Sequence, residues 1–477
     1  MRPFHLFVTL PLIAAEIFVL FRAMLRPHRE PTSRLAWVIV IIVLPVVGTI
    51  LYLLLGEARV SLTRKELGRT IDAALPRPPH DQQTIEAMSA SAYDAPFDLA
   101  RTVNGLGPTS GNRATLSRDS NAAIDAMVAD IDAATGHVHA SFYIWLDDGN
   151  GLKVKDAMIR AAQRGVTVRA LADALGSHKL IRSAHWKQME AADVQLRVAL
   201  PVGNLLWTMV RGRVDLRNHR KTLIVDGHIG WCGSQNAADP EFRVKPHYAP
   251  WVDIMTRWEG PVVRDWQYLF VSDWMGEHGE DLSAMLELAP LKSEGDIVAQ
   301  VIGTGPTLAY SAMTGCFSEL IHAARDELVI TTPYFVPDDP LLFAILSAAR
   351  RGVKTVLVLP ARNDSRIVAA ASRSHYPDLL AAGVELYEYH CGLLHAKTMI
   401  VDGKVGLIGS ANLDRRSFEL NFENNILFAD TALAAEIRAR QNEWLADSSR
   451  VTEEQVAATL ILARLWQNSL AMFGPLL

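Results

Sequence analysis

The sequence predicts an α/β fold built twice, set behind an N-terminal helical membrane hairpin. Three observations carry this prediction. One eighteen-residue segment occurs twice, each copy follows a strand–helix–strand pattern, and two long apolar runs open the chain. At 477 residues, 49 % of them hydrophobic, the chain is long enough for two domain-sized units with sizeable cores.

In chain order, the membrane end comes first. Residues 35 to 55 carry no charge and are long enough to span a bilayer. Residues 4 to 25 are also apolar but include Glu16 and Arg22. No small-x-small cleavage site follows the first run, and a second run comes at once, so a two-span hairpin over 1–56 is expected rather than a signal peptide. Arginines lie on both sides of the second run, so charge alone does not set the orientation. Residues 57–110, with PRPPH and GLGPTSGN, read as a polar linker.

The halves are expected at 111–290 and 291–447. HRKTLIVDGHIGWCGSQN, starting at His219, matches HAKTMIVDGKVGLIGSAN, starting at His395, at eleven of eighteen positions without a gap. Upstream, each copy has an apolar β-type run (HVHASFYIW, ELVITTPYFV), a helix ending near Gly165 or Gly352, and a second run (TVRALAD, KTVLVLP). Gly165 to His219 spans 54 residues and Gly352 to His395 spans 43, which implies an insertion in the first copy within 185 to 215. Residues 448–477 have helical apolar spacing and read as a C-terminal amphipathic helix, packed on the body or lying on a membrane surface.

The repeated segment also carries the chemistry. If HxK is a strand, His219 and Lys221 point the same way, as do His395 and Lys397. Asp226-Gly227 and Asp402-Gly403 then turn the chain into a second strand. Ser234 and Asn236, with Ser410 and Asn412, follow as a hydroxyl and an amide beside each His/Lys pair and are the expected substrate contacts. One imidazole attacks a phosphorus while the other protonates the leaving oxygen, and lysines and asparagines hold the developing charge, so neither metal nor cofactor is required. A catalytic histidine needs a carboxylate to fix its tautomer. Asp253 in WVDIM is assigned to His219 and Glu423 in LNFENN to His395, each within its own half.

Three well-separated cysteines, an odd number without CxxC spacing, give neither a disulfide framework nor a zinc site. The net charge of −5 lacks the basic footprint of a nucleic-acid binder.

Two HxKxxxxD motifs, each followed by GSxN, resemble the phospholipase D superfamily. Within it, FYIWLDD, LRNHRKTLIVDG, TTPYFVPDD, LLHAKTMIVDG and GSANLDRRSFELNFENN are similar to bacterial cardiolipin synthases. The resemblance implies a pseudo-twofold sandwich of mixed β-sheets flanked by helices, with one active site between the halves. It implies His219 as nucleophile, His395 as general acid, and Asp226 and Asp402 as structural supports. The implied reaction joins two phosphatidylglycerols into cardiolipin and releases glycerol, at the cytoplasmic face of the bacterial inner membrane, with phosphatidylglycerol and the bilayer as partners. GSQNAADPEF lacks the LDxRS continuation, so Arg415, Arg416 and Ser417 have no counterparts in the first half. The alternatives are a phospholipid hydrolase and a tethered phosphodiesterase or nuclease.

Overall fold

The structure, a computed structural model, describes residues 3–26, 31–56, 62–201, 215–277, 279–287, 291–307 and 311–472. The chain divides into two compact units, one centred on Met1–Glu66 and the other on Leu67–Pro201 with Arg217–Pro475.

The N-terminal unit holds helices Pro3–Leu25, Pro31–Val43 and Pro45–Leu55. The single span expected at 35 to 55 is therefore two helices. Leu44 leaves the helical region (φ −127°, ψ 69°) because Pro45 has no N–H to continue the ladder and restricts the residue before it. Val19, Ala23, Trp37, Ile41 and Tyr52 are buried together, with the Trp37 and Tyr52 rings edge to face at 5.4 Å. Among the described residues, no helix is long and apolar enough to cross a membrane.

The second unit is built on one long mixed sheet, and its strand order repeats the duplication. The first copy runs Gln195–Ala199, Thr167–Asp173, His137–Phe142, Thr222–Val225, Ile229–Gly233, Met255–Glu259 and Thr109–Leu116. The second runs Glu385–Tyr389, Lys354–Pro360, Glu327–Thr331, Thr398–Val401, Val405–Gly409, Asn421–Ala429 and Ile297–Thr304. In each set the first three strands are parallel and the rest antiparallel. The sets join where Thr109–Leu116 pairs antiparallel with Ile297–Thr304. Trp258, Trp266 and Phe428 close the seam, with Trp258 and Phe428 6.4 Å apart. Large buried aromatics of this kind dominate core energetics.

Both DG turns form as expected. Asp226 and Gly227 have φ 51° and 68°, Asp402 and Gly403 have 53° and 62°, and Asp and Gly are among the residues that tolerate this left-handed region. Two other expectations change and one is narrowed. The segment read as a polar linker carries helices Leu62–Ala74, Gln82–Ser89 and Asp94–Asn104. Asp81 caps the second of these by accepting the Thr84 N–H, and Phe97 and Ala100 bury one face of the third against the second copy. The extra length of the first copy falls after Ala199, and residues 202–214 of it lie outside the described residues. The C-terminal stretch is a short strand, Ser448–Arg450, followed by helices Glu453–Ala457 and Ile461–Ala471, the first opened by a Thr452/Gln455 capping box.

Candidate active site

The HxK segments are not regular strands. Arg217–Asn218 forms a two-residue parallel bridge with Asn421–Phe422, and the His219 N–H donates to the Phe422 carbonyl at 2.9 Å. In the other copy, Leu393–Leu394 bridges Trp251–Val252, and the His395 N–H donates to the Val252 carbonyl at 2.8 Å. Continuing each register by one residue brings Glu423 to His219 and Asp253 to His395. The contacts follow that register. His219 Nδ1 lies 2.9 and 3.0 Å from the two Glu423 oxygens, and His395 Nδ1 lies 2.6 Å from Asp253 Oδ1.

The within-half assignment of the carboxylates is thus overturned: each histidine takes its partner from the other copy. Two-residue bridges between segments far apart in the chain carry no periodic sequence signal, so neighbourhood within a half was the wrong guide. An ionised carboxylate only accepts, so each Nδ1 carries the proton and each Nε2 is left with its lone pair.

The serines also differ from expectation. Ser234 and Ser410 are fully buried. The Ser234 hydroxyl donates to Asp253 Oδ1 at 2.6 Å, and the Ser410 hydroxyl donates to Glu423. They hold the carboxylates rather than facing the cavity, because the GSxN loop passes beneath the acid of its neighbouring strand. Asn236 and Asn412 do line the cavity. Asn236 Oδ1 accepts the Ile144 N–H at 3.0 Å, which leaves its Nδ2 for a ligand. The Asn412 N–H donates to the Ser417 hydroxyl at 3.0 Å. Lys221 and Lys397 are buried, and each Nζ donates at 2.6 Å to the carbonyl of its own motif histidine.

Asp226 accepts the backbone N–H groups of Thr135, Gly136 and His137. Asp402 accepts those of Arg325, Asp326 and Glu327. Both aspartates therefore tie the hairpin turn to the start of the neighbouring strand, which pairs antiparallel with the hairpin.

Both histidine rings line one cavity of about 430 Å³, with Tyr143, Trp251, Tyr334, Arg217, Arg416 and Asn421 also on its walls. The Trp251 ring stacks on His395 at 4.7 Å, and Tyr143 meets His219 edge-on at 4.9 Å. Sequence reasoning passed over Trp251, although it stands two residues before Asp253. It also passed over Arg217, which lies two residues before the histidine.

Burial sets the electrostatics. It pushes His219 down to about 4, against the opposing pull of Glu423, and the Lys221 charge adds to the depression. His395 is lowered by burial and by Lys397, with Asp253 opposing. Burial brings Lys221 to about 7 and Lys397 to about 8, although Glu423 and Asp253 respectively hold them up. For Glu423 and Asp253, burial acts upward, but the facing histidines and lysines outweigh it and keep both carboxyls below their ordinary values. At neutral pH the site therefore presents two neutral imidazoles on two carboxylates, beside two lysines of tunable charge.

Comparison with known proteins adds three findings. A family described as "Cardiolipin synthase, PLD-like domain" matches residues 127–247 and 317–444, and one described as "Phospholipase_D-nuclease N-terminal" matches residues 15–57. The chain is 35 % identical to cardiolipin synthase A of Edwardsiella ictaluri and 34 % identical to that of Salmonella arizonae, in each case over 95 % of this chain and 94 % of the relative. In fold it is similar to the crystal structure of phosphatidylserine synthase from Haemophilus influenzae (TM-score 0.58, 15 % identity), covering 80 % of this chain and 97 % of that one.

Proposed function

The chain belongs to the cardiolipin synthases, phosphatidyltransferases of the phospholipase D superfamily, and on that premise we propose that it joins two phosphatidylglycerols through a phosphatidyl-histidine. His219 Nε2 attacks the phosphorus of the first phosphatidylglycerol. The bond from phosphorus to the headgroup glycerol oxygen breaks, and His395 gives that oxygen a proton, releasing glycerol. The headgroup hydroxyl of a second phosphatidylglycerol then gives its proton to His395 and attacks the same phosphorus. The phosphorus–nitrogen bond breaks, leaving cardiolipin and a neutral His219.

The observation that carries this reading is the pair of imidazoles lining one cavity, each with Nδ1 held by a buried carboxylate. His219, with its proton affinity lowered to about 4, keeps a lone pair for attack at any neutral pH. His395 needs a proton, and the entering phosphodiester supplies the negative charge that favours its cationic form, as Asp253 already does. Lys221 and Lys397, with Asn236 and Asn412, carry the charge of the five-coordinate transition state. Ser234 and Ser410 act through the carboxylates that they hold, and Asp226 and Asp402 through the backbone.

The N-terminal helices are read as a membrane anchor with apolar runs at about 4–25 and 35–55, the catalytic body lying on the cytoplasmic side of the bacterial inner membrane. The match of residues 15–57 to an N-terminal family supports their belonging to the same architecture. Purified protein in vesicles whose sole lipid is phosphatidylglycerol should yield cardiolipin and free glycerol by mass spectrometry. Phosphatidic acid without cardiolipin would make water the acceptor and the enzyme a hydrolase.

A further inference from the structure

The last described helix, Ile461–Ala471, is packed the wrong way round for a helix covered by water. At 100° per residue, Ile461, Leu462, Leu465, Trp466 and Met472 fall on one stripe about 140° wide. All five, with Leu460, are 58–77 % exposed. Gln467, Leu470 and Ala471, on the opposite side of the helix, are its less exposed residues and face the body. Arg464, Gln467 and Asn468 line a cavity of about 610 Å³ with Arg373 and Ser374 of helix Arg366–Ser374. Arg464 also donates to the Val456 and Ala457 carbonyls and so anchors the helix by its polar face. In a water-covered helix the apolar stripe faces the core. Here it faces outward, and single exposed apolar residues are common whereas a contiguous stripe marks an interaction site.

The neighbouring elements indicate what covers it. Helix Arg366–Ser374 packs against this helix. At its other end, Ser365 and Val368 line the active-site cavity. Leu175 and Val244 on the cavity rim, and Ile367 on the shared helix, are 43–52 % exposed. Helix Arg366–Ser374, which carries the exposed Ile367, therefore connects the outward stripe to the mouth through which a diacylglycerol-bearing substrate must enter. A lipid whose acyl chains stay in the bilayer reaches a buried histidine only if that mouth lies against the bilayer surface. Trp466 is also the residue type that settles at a membrane–water boundary.

From this we infer that the outward face of helix 461–471, with the Leu175/Val244/Ile367 rim, is a monotopic docking surface that seats the cavity mouth on the lipid headgroup layer. It rests on the lipid-substrate reading above and is additional to any anchoring by the N-terminal helices.

The test uses the full chain with exposed Cys391 replaced (Cys391→Ser), a change that leaves only the two buried cysteines. An environment-sensitive fluorophore is placed at Leu465→Cys or, as the reference on the far side of the helix, at Gln467→Cys. The protein is reconstituted in phosphatidylglycerol vesicles with brominated acyl chains. Strong quenching at 465 and little at 467 is expected. Equal quenching at both positions, or shielding of 465 that depends on protein concentration rather than on lipid, would overturn the inference, the latter in favour of a second copy. Ile461→Ser/Leu465→Ser/Trp466→Ser should lower turnover on vesicles about tenfold, the interfacial loss expected when three apolar contacts go. Turnover on monomeric short-chain phosphatidylglycerol should not change, and an equal loss on both substrates would also overturn the inference. If the wild-type chain made cardiolipin from neither substrate, the functional reading would fail, while the quenching result would still decide the docking surface.

Discussion

In the first copy the motif histidine meets Tyr143 edge-on and a glutamate; in the second it lies flat under Trp251 and meets an aspartate. The frames around them are closely alike: the same seven-strand order, the same lysine-to-carbonyl bond, the same aspartate holding the turn. Under the proposed mechanism, the difference matches what each ring needs. A nucleophile needs a lone pair, and His219 is pushed low enough to keep one. An acid must recover a proton, and His395 faces Asp253 while an aromatic plane fixes its ring. Each histidine takes its carboxylate from the other copy, so under the proposed mechanism neither half is catalytically complete alone.

The largest expected effect breaks the roles apart. His219→Ala should abolish the covalent phosphatidyl adduct seen by intact-protein mass spectrometry, with turnover down by about 10⁶, the scale for loss of a nucleophile. His395→Ala should lose about 10²–10⁴, typical of general acid catalysis, and should still form adduct slowly from a substrate with an activated leaving group. An adduct persisting in the first variant would reverse the assignment.

Next comes the crossing of the carboxylates. Glu423→Gln should resemble the loss of His219, suppressing the adduct, whereas Asp253→Asn should resemble the loss of His395, forming adduct from the activated substrate but turning over poorly. Each should cost about 10²–10⁴, by analogy with histidine-orienting acids. Swapped phenotypes would mean that the pairing runs within each half.

A smaller effect concerns pH. His219 stays neutral in the folded protein down to about 4, whereas in the unfolded chain it takes a proton near its ordinary value of 6.5. Its contribution to stability is therefore whole above about 6.5 and is lost as pH falls towards about 4. The melting temperature of the wild type should drop across that window, and His219→Asn should flatten this part of the profile; identical profiles would place no buried neutral imidazole there. The smallest effects are those of Ser234→Ala and Ser410→Ala. Each removes one buried hydrogen bond to a carboxylate, worth about 1.5–3 kcal/mol by thermal denaturation, with losses of turnover that follow the histidine each carboxylate serves.

Much of this was legible in the chain itself. The doubled HxK segment, the DG turns and the strand–helix–strand runs declared a duplicated α/β fold, because backbone hydrogen bonding and side-chain alternation leave local periodic marks. The apolar N-terminal runs were legible as composition, but Pro45 broke the second run into two helices. The linker reading failed because the helices at 82–104 are short and partly polar, and are held by capping and by packing against the second copy.

By itself the sequence determined which groups are candidates for the chemistry: two imidazoles, two lysines and two acids stand in it at recognisable spacing. Only the tertiary structure decided which acid meets which ring, that the serines hold acids instead of facing the cavity, and that the last helix turns its apolar side outward. The physical reason is common to all three. Each depends on the register between strands distant in the chain, or on which neighbour a helix packs against, and neither leaves a periodic trace in the local order of residues.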